Sequence, residues 1–238
     1  NGASLQWAKD AGLKNMNLLT KGSYKHVTEQ LRKTPEEHLS DILRELEIAK
    51  ELGISINIYL EDWSNGIIHS EDYVYFIMDG LKDTSIKRFM LPDTLGILNP
   101  HSTWRCCRRM ISRYPELHFD FHAHNDYDLG VANTMVAVEV GVKGVHLTIN
   151  GLGERAGNAS LASAVAVFHD HLKLKTSINE DKINTVSRVV ETYSGLSIAA
   201  NQPIVGSNVF TQTAGIHADG DSKNNLYFNE LFPERFDR

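Results

Sequence analysis

Leu117-His-Phe-Asp-Phe121, His122-Ala-His124-Asn-Asp126, the helical stretch from Leu129 to Val140, and Gly144-Val-His-Leu-Thr148 make one continuous passage. It runs from an apolar strand to a polar loop, an amphipathic helix and a second strand. That order is the signature of a parallel βαβ unit. In a strand, residues i and i+2 share a face, so His122 and His124 can aim their imidazoles at one point. A divalent metal ion is the most economical occupant, because neutral imidazole is its commonest nitrogen ligand. Surface or core histidines remain the alternative reading of so short a motif.

The same period extends outward in both directions. Met16–Thr20 reads as a strand, and Thr34-Pro-Glu-Glu opens a helix with Thr34 as N-cap and Pro35 in its first turn. That helix is expected to reach about Leu52 and stop at Gly53. Strand Ile54–Leu60, helix Ser70–Asp83, strand Arg88–Leu91 and helix Pro100–Arg113 follow. The unit recurs roughly every 30 residues, as parallel βα architectures do. Glu61-Asp62, Pro92-Asp93-Thr94, His122/His124 and Asn150–Glu154 all come directly after strands. Polar groups delivered by successive strand ends favour a barrel over an open sheet, whose site gathers at one switch point. The expected fold is therefore α/β, a (β/α)8 TIM barrel represented by its C-terminal five βα units. A closed barrel needs eight strands, so the first three units are expected to lie outside this stretch. A partial barrel domain over residues 1–175 and a helical and loop-like linker subdomain over 176–238, with a helix from Glu180 to Tyr193, complete the expected organisation.

The 238 residues are 42% hydrophobic and 23% charged, with a net charge of −6. The acidic balance argues against broad nucleic-acid binding, and no apolar run is long enough to span a bilayer. Asn1-Gly-Ala-Ser-Leu-Gln lacks the basic start and apolar core of a signal peptide. Cys106 and Cys107, neighbours in a helical stretch, read as reduced thiols, and a cytoplasmic setting is expected. The arginines beside them (Arg105, Arg108, Arg109) read as a solvated helix face.

Four motifs in order carry a family resemblance: Leu91-Pro-Asp-Thr-Leu-Gly96, Phe121-His-Ala-His-Asn-Asp126, Asn150-Gly-Leu-Gly-Glu-Arg-Ala-Gly-Asn158 and Ala214-Gly-Ile-His-Ala-Asp-Gly220. Together they resemble the isopropylmalate, citramalate and homocitrate synthases, metal-dependent Claisen-condensing enzymes on TIM barrels. Tyr59-Leu-Glu-Asp-Trp-Ser-Asn-Gly66 and the tail around Asn225-Leu-Tyr227 look most like the citramalate branch. The resemblance implies condensation of acetyl-CoA with a 2-oxo acid and hydrolysis of the thioester. It implies a divalent metal (Mn2+, Mg2+ or Zn2+) held by His122, His124 and Asn158. The family's aspartate ligand, in an Asp-Arg motif on the first strand, has no counterpart here, so this stretch alone is expected to be inactive.

By the same resemblance Thr94 binds the oxo-acid carboxylate, and Glu61, His217 and Tyr227 are catalytic. The latter two would reach a neighbouring protomer's site, which implies a homodimer. Without the family, Thr94 is a turn residue, Glu61 a strand-end ion pair, and His217 and Tyr227 exposed loop residues. Arg155 reads as a structural partner in a tight turn, and His146 as a lining histidine. Leu19 and Tyr59 would fill the space that a branched oxo acid needs, which favours pyruvate over 2-oxoisovalerate. Isopropylmalate synthase is the runner-up. The lyase branch is disfavoured because Asn150–Ser160 contains no cysteine. A non-enzymatic interaction module is the remaining alternative.

Overall fold

A computed structural model describes residues Gly2–Arg238, apart from the side chain of Ala218. The chain forms two compact units that meet in sequence at His146 and Leu147. Among the described residues, no helix is long and apolar enough to cross a membrane.

The first unit opens with helix α1 (Gly2–Asp10) and strand β1 (Asn15–Lys21). A π-helix, His26–Leu31, leads into α2 (Pro35–Glu51). The sequence starts α2 twice over, since the Thr34 hydroxyl accepts from the Glu37 N–H while the Glu37 carboxylate accepts from the Thr34 N–H at 2.8 Å. This capping box satisfies N-terminal donors that the helix cannot. Strand β2 (Ser55–Glu61) is followed by α3 (Trp63–His69), α4 (Glu71–Leu81), β3 (Phe89–Asp93), α5 (Pro100–Arg113), β4 (Phe119–Ala123), α6 (Gly130–Val140) and β5 (Gly144–His146). Asn99 and Pro100 start α5 with a second capping box, to Ser102.

The five strands are all parallel and lie in chain order, β1-β2-β3-β4-β5. An open doubly wound sheet reverses its order at a switch point, whereas consecutive barrel strands do not. The sheet is the expected run of five βα units of a TIM barrel.

Period-two patterning sorts the faces. Ile56, Ile58 and Leu60, with Phe89, Leu91, Phe119 and Phe121, are buried on the helix-covered side. Ile42, Ile77, Met78, Cys107 and Met110 of α2, α4 and α5 are buried with them. Ser55, Asn57, Tyr59 and Glu61 alternate onto the other face and stay half-buried. Two departures from expectation are physical. Residues 63–69, between the expected strand and the expected helix, form α3, because Trp63 and Ile67 are fully buried and Gly66 packs against the Gly22 backbone. Strand β5 ends at His146 instead of Thr148, whose N–H turns to the Ala159 carbonyl at 3.1 Å.

The second unit has short 3-10 turns at Ile149–Gly151 and Glu180–Lys182, helices α7 (Leu161–Asp170), α8 (Ile183–Ser194) and α9 (Gly215–Ser222), and a last turn at Pro233–Phe236. Its core is Ala162, Val165, Ala166, Ile183, Ile204, Val205 and Phe236. Arg235 is half-buried and bonds Asp170 at 2.8 and 2.9 Å and also Glu180, so the charge is paired on two sides.

Candidate active site

Parallel βα folds place their chemistry at the carboxyl ends of the strands. In the first unit these ends carry Lys21, Glu61, Asp62, Thr94, His122 and His124.

His122 lies in β4 and His124 just past it, and their rings contact each other with centroids 5.0 Å apart at 81°. Tyr59 and His146 approach the His122 ring at 6.0 and 5.7 Å. Burial pushes the His122 pKa down to about 4, and the neighbouring His124 and His146 push the same way. The ring is therefore neutral at pH 7, the form that can donate a nitrogen lone pair. His124 is buried and its Nδ1 has no hydrogen-bond partner. A buried nitrogen left unmatched costs stability unless something else satisfies it. Among the described residues, no group of three His, Cys, Asp or Glu side chains could hold a metal ion. The two imidazoles fit a metal as a partial ligand set.

Glu61 pairs with Lys21, its register partner across β1 and β2. Lys21 is almost wholly buried, so this is not the exposed strand-end pair that sequence alone suggests. The Lys21 N–H also donates to Nε2 of buried His38 at 3.3 Å, and Tyr73 Oη donates to the Lys21 carbonyl at 3.0 Å. Thr94 Oγ1 accepts from the Asp62 N–H at 2.8 Å. Asp93 beneath it is buried, and its two carboxylate oxygens accept from the Ile97 and Leu98 N–H groups, each at 3.0 Å. Burial pushes its carboxyl up, against the pull of those two backbone donors. The buried Asp93 thus closes the turn in which Thr94 sits. Leu19 and Tyr59 are direct register partners on the same open face, with Leu19 62% exposed.

Lower on that face stands a network that the sequence did not announce. Asp120 is buried and accepts from His118 Nε2 at 2.8 Å and His146 Nε2 at 3.4 Å, with Arg88 3.5 Å away. Burial pulls this carboxyl up, but His146, His118 and Arg88 outweigh it and hold it below the usual carboxylate range. Lys21 and Asp120 each had a signal in hindsight. Asp120 is a charge set between Phe119 and Phe121 inside a strand, and Lys21 is a charge at a strand end with Glu61 at the next one.

In the second unit, Asn158 is buried; its Nδ2 donates to the Leu152 carbonyl at 3.1 Å and its Oδ1 has no partner. Arg155 lies 3.7 Å from the neighbouring Glu154 carboxylate. The rings of His217 on α9 and Tyr227 lie against each other, tilted by 40° with centroids 4.3 Å apart. The structure thus brings together His122, His124 and Tyr59, pairs Leu19 with Tyr59, and pairs His217 with Tyr227.

The HMGL-like family profile matches residues 2–190. This chain belongs to the HMGL-like family. A protein assigned as a (R)-citramalate synthase in Methanopyrus kandleri is 31% identical over 96% of this chain and 44% of its own length. One assigned as a 2-isopropylmalate synthase in Ignicoccus hospitalis is 31% identical over 98% of this chain and 58% of its own. The homocitrate synthase of Sulfolobus acidocaldarius is 33% identical over 90% and 45%. The chain therefore spans about half the length of the curated relatives it matches. Among solved structures, an HMG-CoA lyase from Acinetobacter baumannii, in complex with coenzyme A and 3-methylmalate, superposes with a TM-score of 0.74. It is 22% identical, over 90% of this chain and 72% of that one, and shares the fold. This HMGL-like chain is thus similar in sequence to proteins assigned as citramalate, 2-isopropylmalate and homocitrate synthases and similar in fold to an HMG-CoA lyase.

Proposed function

We propose that this HMGL-like chain carries part of the active site of a cytoplasmic acyltransferase that condenses acetyl-CoA with a 2-oxo acid, pyruvate being preferred and citramalate the product. The observation that carries this reading is the contacting His122–His124 pair, neutral by burial and lacking a partner on His124 Nδ1, at the end of β4. A divalent metal held there would supply a Lewis acid for the keto oxygen. Asn158, with its unmatched Oδ1, is proposed as a further ligand on the resemblance alone.

The chain's own residues divide the remaining work. Thr94 donates its hydroxyl to the oxo-acid carboxylate. Glu61, held against Lys21, handles the proton at the acetyl methyl, a task that requires a carboxylate fixed within hydrogen-bond reach. Leu19 and Tyr59 form the wall that limits the oxo acid's side chain. His217 and Tyr227, already in ring contact with each other, would serve the site of a second copy by relaying a proton and donating to the developing charge.

The test is CoA release from acetyl-CoA with pyruvate, with 2-oxoisovalerate, and with 2-oxoglutarate, with Mn2+ or Mg2+ added or chelated. It is run on this chain and on the longest natural polypeptide that contains it. Metal-dependent turnover with pyruvate supports the reading. A preference for 2-oxoisovalerate or 2-oxoglutarate keeps the chemistry and overturns the pocket argument. No turnover by the longer polypeptide with any of the three overturns the condensation itself. Loss of Mn2+ binding in His122→Ala checks the histidine pair separately, by calorimetry.

A further inference from the structure

Asp62 stands one residue beyond β2 and occupies the left-handed region, with φ 65° and ψ 24°. A residue with a Cβ persists there only where its surroundings hold it. Its position is the N-cap of α3, where an aspartate ordinarily accepts from the helix's first N–H groups, yet its side chain makes no such bond. The carboxylate turns elsewhere. Oδ1 accepts from Asn65 Nδ2 at 2.8 Å, and Oδ2 faces His26 Nε2 at 3.5 Å, with the Asp62 side chain 3% exposed. His26 opens the π-helix after β1, a rare backbone form that is frequent at functional sites.

The result of this arrangement appears on the backbone. The Asp62 N–H reaches across from the end of β2 to the end of β3 and donates to Thr94 Oγ1 at 2.8 Å. A backbone N–H can only donate, so the Thr94 oxygen is the acceptor in that bond. The hydroxyl's own hydrogen takes no part in that bond. A carboxylate offers acceptors only.

We propose that Asp62 is a positioning residue: its left-handed turn, held by the Asn65 bond with His26 packed beside it, orients the Thr94 hydroxyl as a donor to the carboxylate of the 2-oxo acid. The inference rests on the oxo-acid reading of Thr94 given above. It assigns no contact between Asp62 and substrate.

Threonine-methyl NMR tests it without requiring turnover. The Thr94 methyl is assigned by its loss in Thr94→Ser, and its side-chain torsion is read from three-bond couplings. Pyruvate is titrated into the wild type, Thr94→Ala, Asp62→Ala, Asp62→Asn and Asp62→Gly. Asn tolerates the left-handed region and keeps Oδ1, Gly tolerates it without a carboxylate, and Ala does neither. The expected result is one Thr94 rotamer in the wild type and in Asp62→Asn, and averaging in Asp62→Ala. Pyruvate binding falls about tenfold in Asp62→Ala, the size of one charge-assisted hydrogen bond, and recovers to within about threefold in Asp62→Asn. In the turnover assay the same loss appears in KM while kcat is nearly kept. Asp62→Gly places the lock on the side chain if it behaves like Ala. An unchanged Thr94 rotamer in folded Asp62→Ala, or equal loss in Asp62→Ala and Asp62→Asn, overturns the proposal. If Thr94→Ala binds pyruvate as tightly as the wild type, the oxo-acid reading of Thr94 falls, and the rotamer measurement still decides whether Asp62 positions it.

Discussion

Gly144→Ala is a sharp probe of the network beneath the histidine pair. Gly144 is the register partner of Asp120, and a Cβ built on it would stand 2.7 Å from Asp120 Cγ and 3.3 Å from Oδ2, overlapping Oδ1. The carboxylate would have to retreat by about 1 Å to restore van der Waals distance. It has little freedom to do so, since His118 and His146 hold it and it is 2% exposed. Overpacking of this kind costs about 1–3 kcal/mol. Losing the 2.8 Å bond to His118 adds about 1.5–3 kcal/mol, the range for hydrogen bonds to charged groups. Replacing glycine by alanine returns about 0.4–1 kcal/mol through the unfolded chain. The net is a loss of about 3 kcal/mol, which for a chain of this size lowers Tm by roughly 6–12 °C. Urea unfolding of the wild type, Gly144→Ala, Asp120→Ala and the double variant forms a cycle. With the carboxylate removed, the new methyl has room, and the cost of Gly144→Ala falls below about 1 kcal/mol. Equal cost in both backgrounds, within about 0.5 kcal/mol, refutes the reasoning.

Three further outcomes follow from the same structure. Thr34→Ala removes half of the α2 capping box and destabilises by about 1 kcal/mol, read as a shift in urea midpoint at constant slope. His38 is held neutral, since burial keeps its pKa below the usual histidine value and its Nε2 accepts the Lys21 N–H. A histidine with a depressed folded pKa contributes its stability above pH 6.5 and loses it as pH falls toward the folded value. Stability measured from pH 8 to pH 5 therefore declines on the acid side, and His38→Gln flattens that decline. Cys106 and Cys107 are buried with both thiols pushed up by burial, so a thiol reagent at pH 8 labels neither in the native chain and both in urea. Labelling of Cys107 without unfolding contradicts its burial.

The sequence made the fold legible where burial and period coincide. The alternation Ile56, Ile58, Leu60 and the cap Thr34-Pro35 each require a local structure that no tertiary contact overrides. Helix α3 was illegible because its reason is not local. Trp63 and Ile67 are buried by distant elements, and Gly66 meets Gly22 from across the chain. At the site, the pairing of His122 with His124 follows from strand geometry alone. The partner of Glu61 did not, since only register brings Lys21 opposite it. Asp62 escaped for a third reason: a left-handed aspartate has no sequence signature apart from tolerance.

The contact between Gly22 and Gly66 has a consequence for how such a site can change over generations. A Cβ at position 66 would fall 2.9 Å from the Gly22 carbonyl carbon, and one at position 22 would fall 2.9 Å from Trp63 Cα and 3.0 Å from the Leu60 carbonyl carbon. Backbone meets backbone on both sides, so no compensating side chain can be trimmed to make room. The loop that follows β1 therefore has one seat, and most mutations there are closed to drift. Leu19 and Tyr59, side chains on the open face of the sheet, meet no such backbone-to-backbone restriction. If the proposed function holds, the wall of the oxo-acid pocket can be retuned one residue at a time while the backbone frame stays fixed, which makes substrate choice the cheap variable and geometry the expensive one.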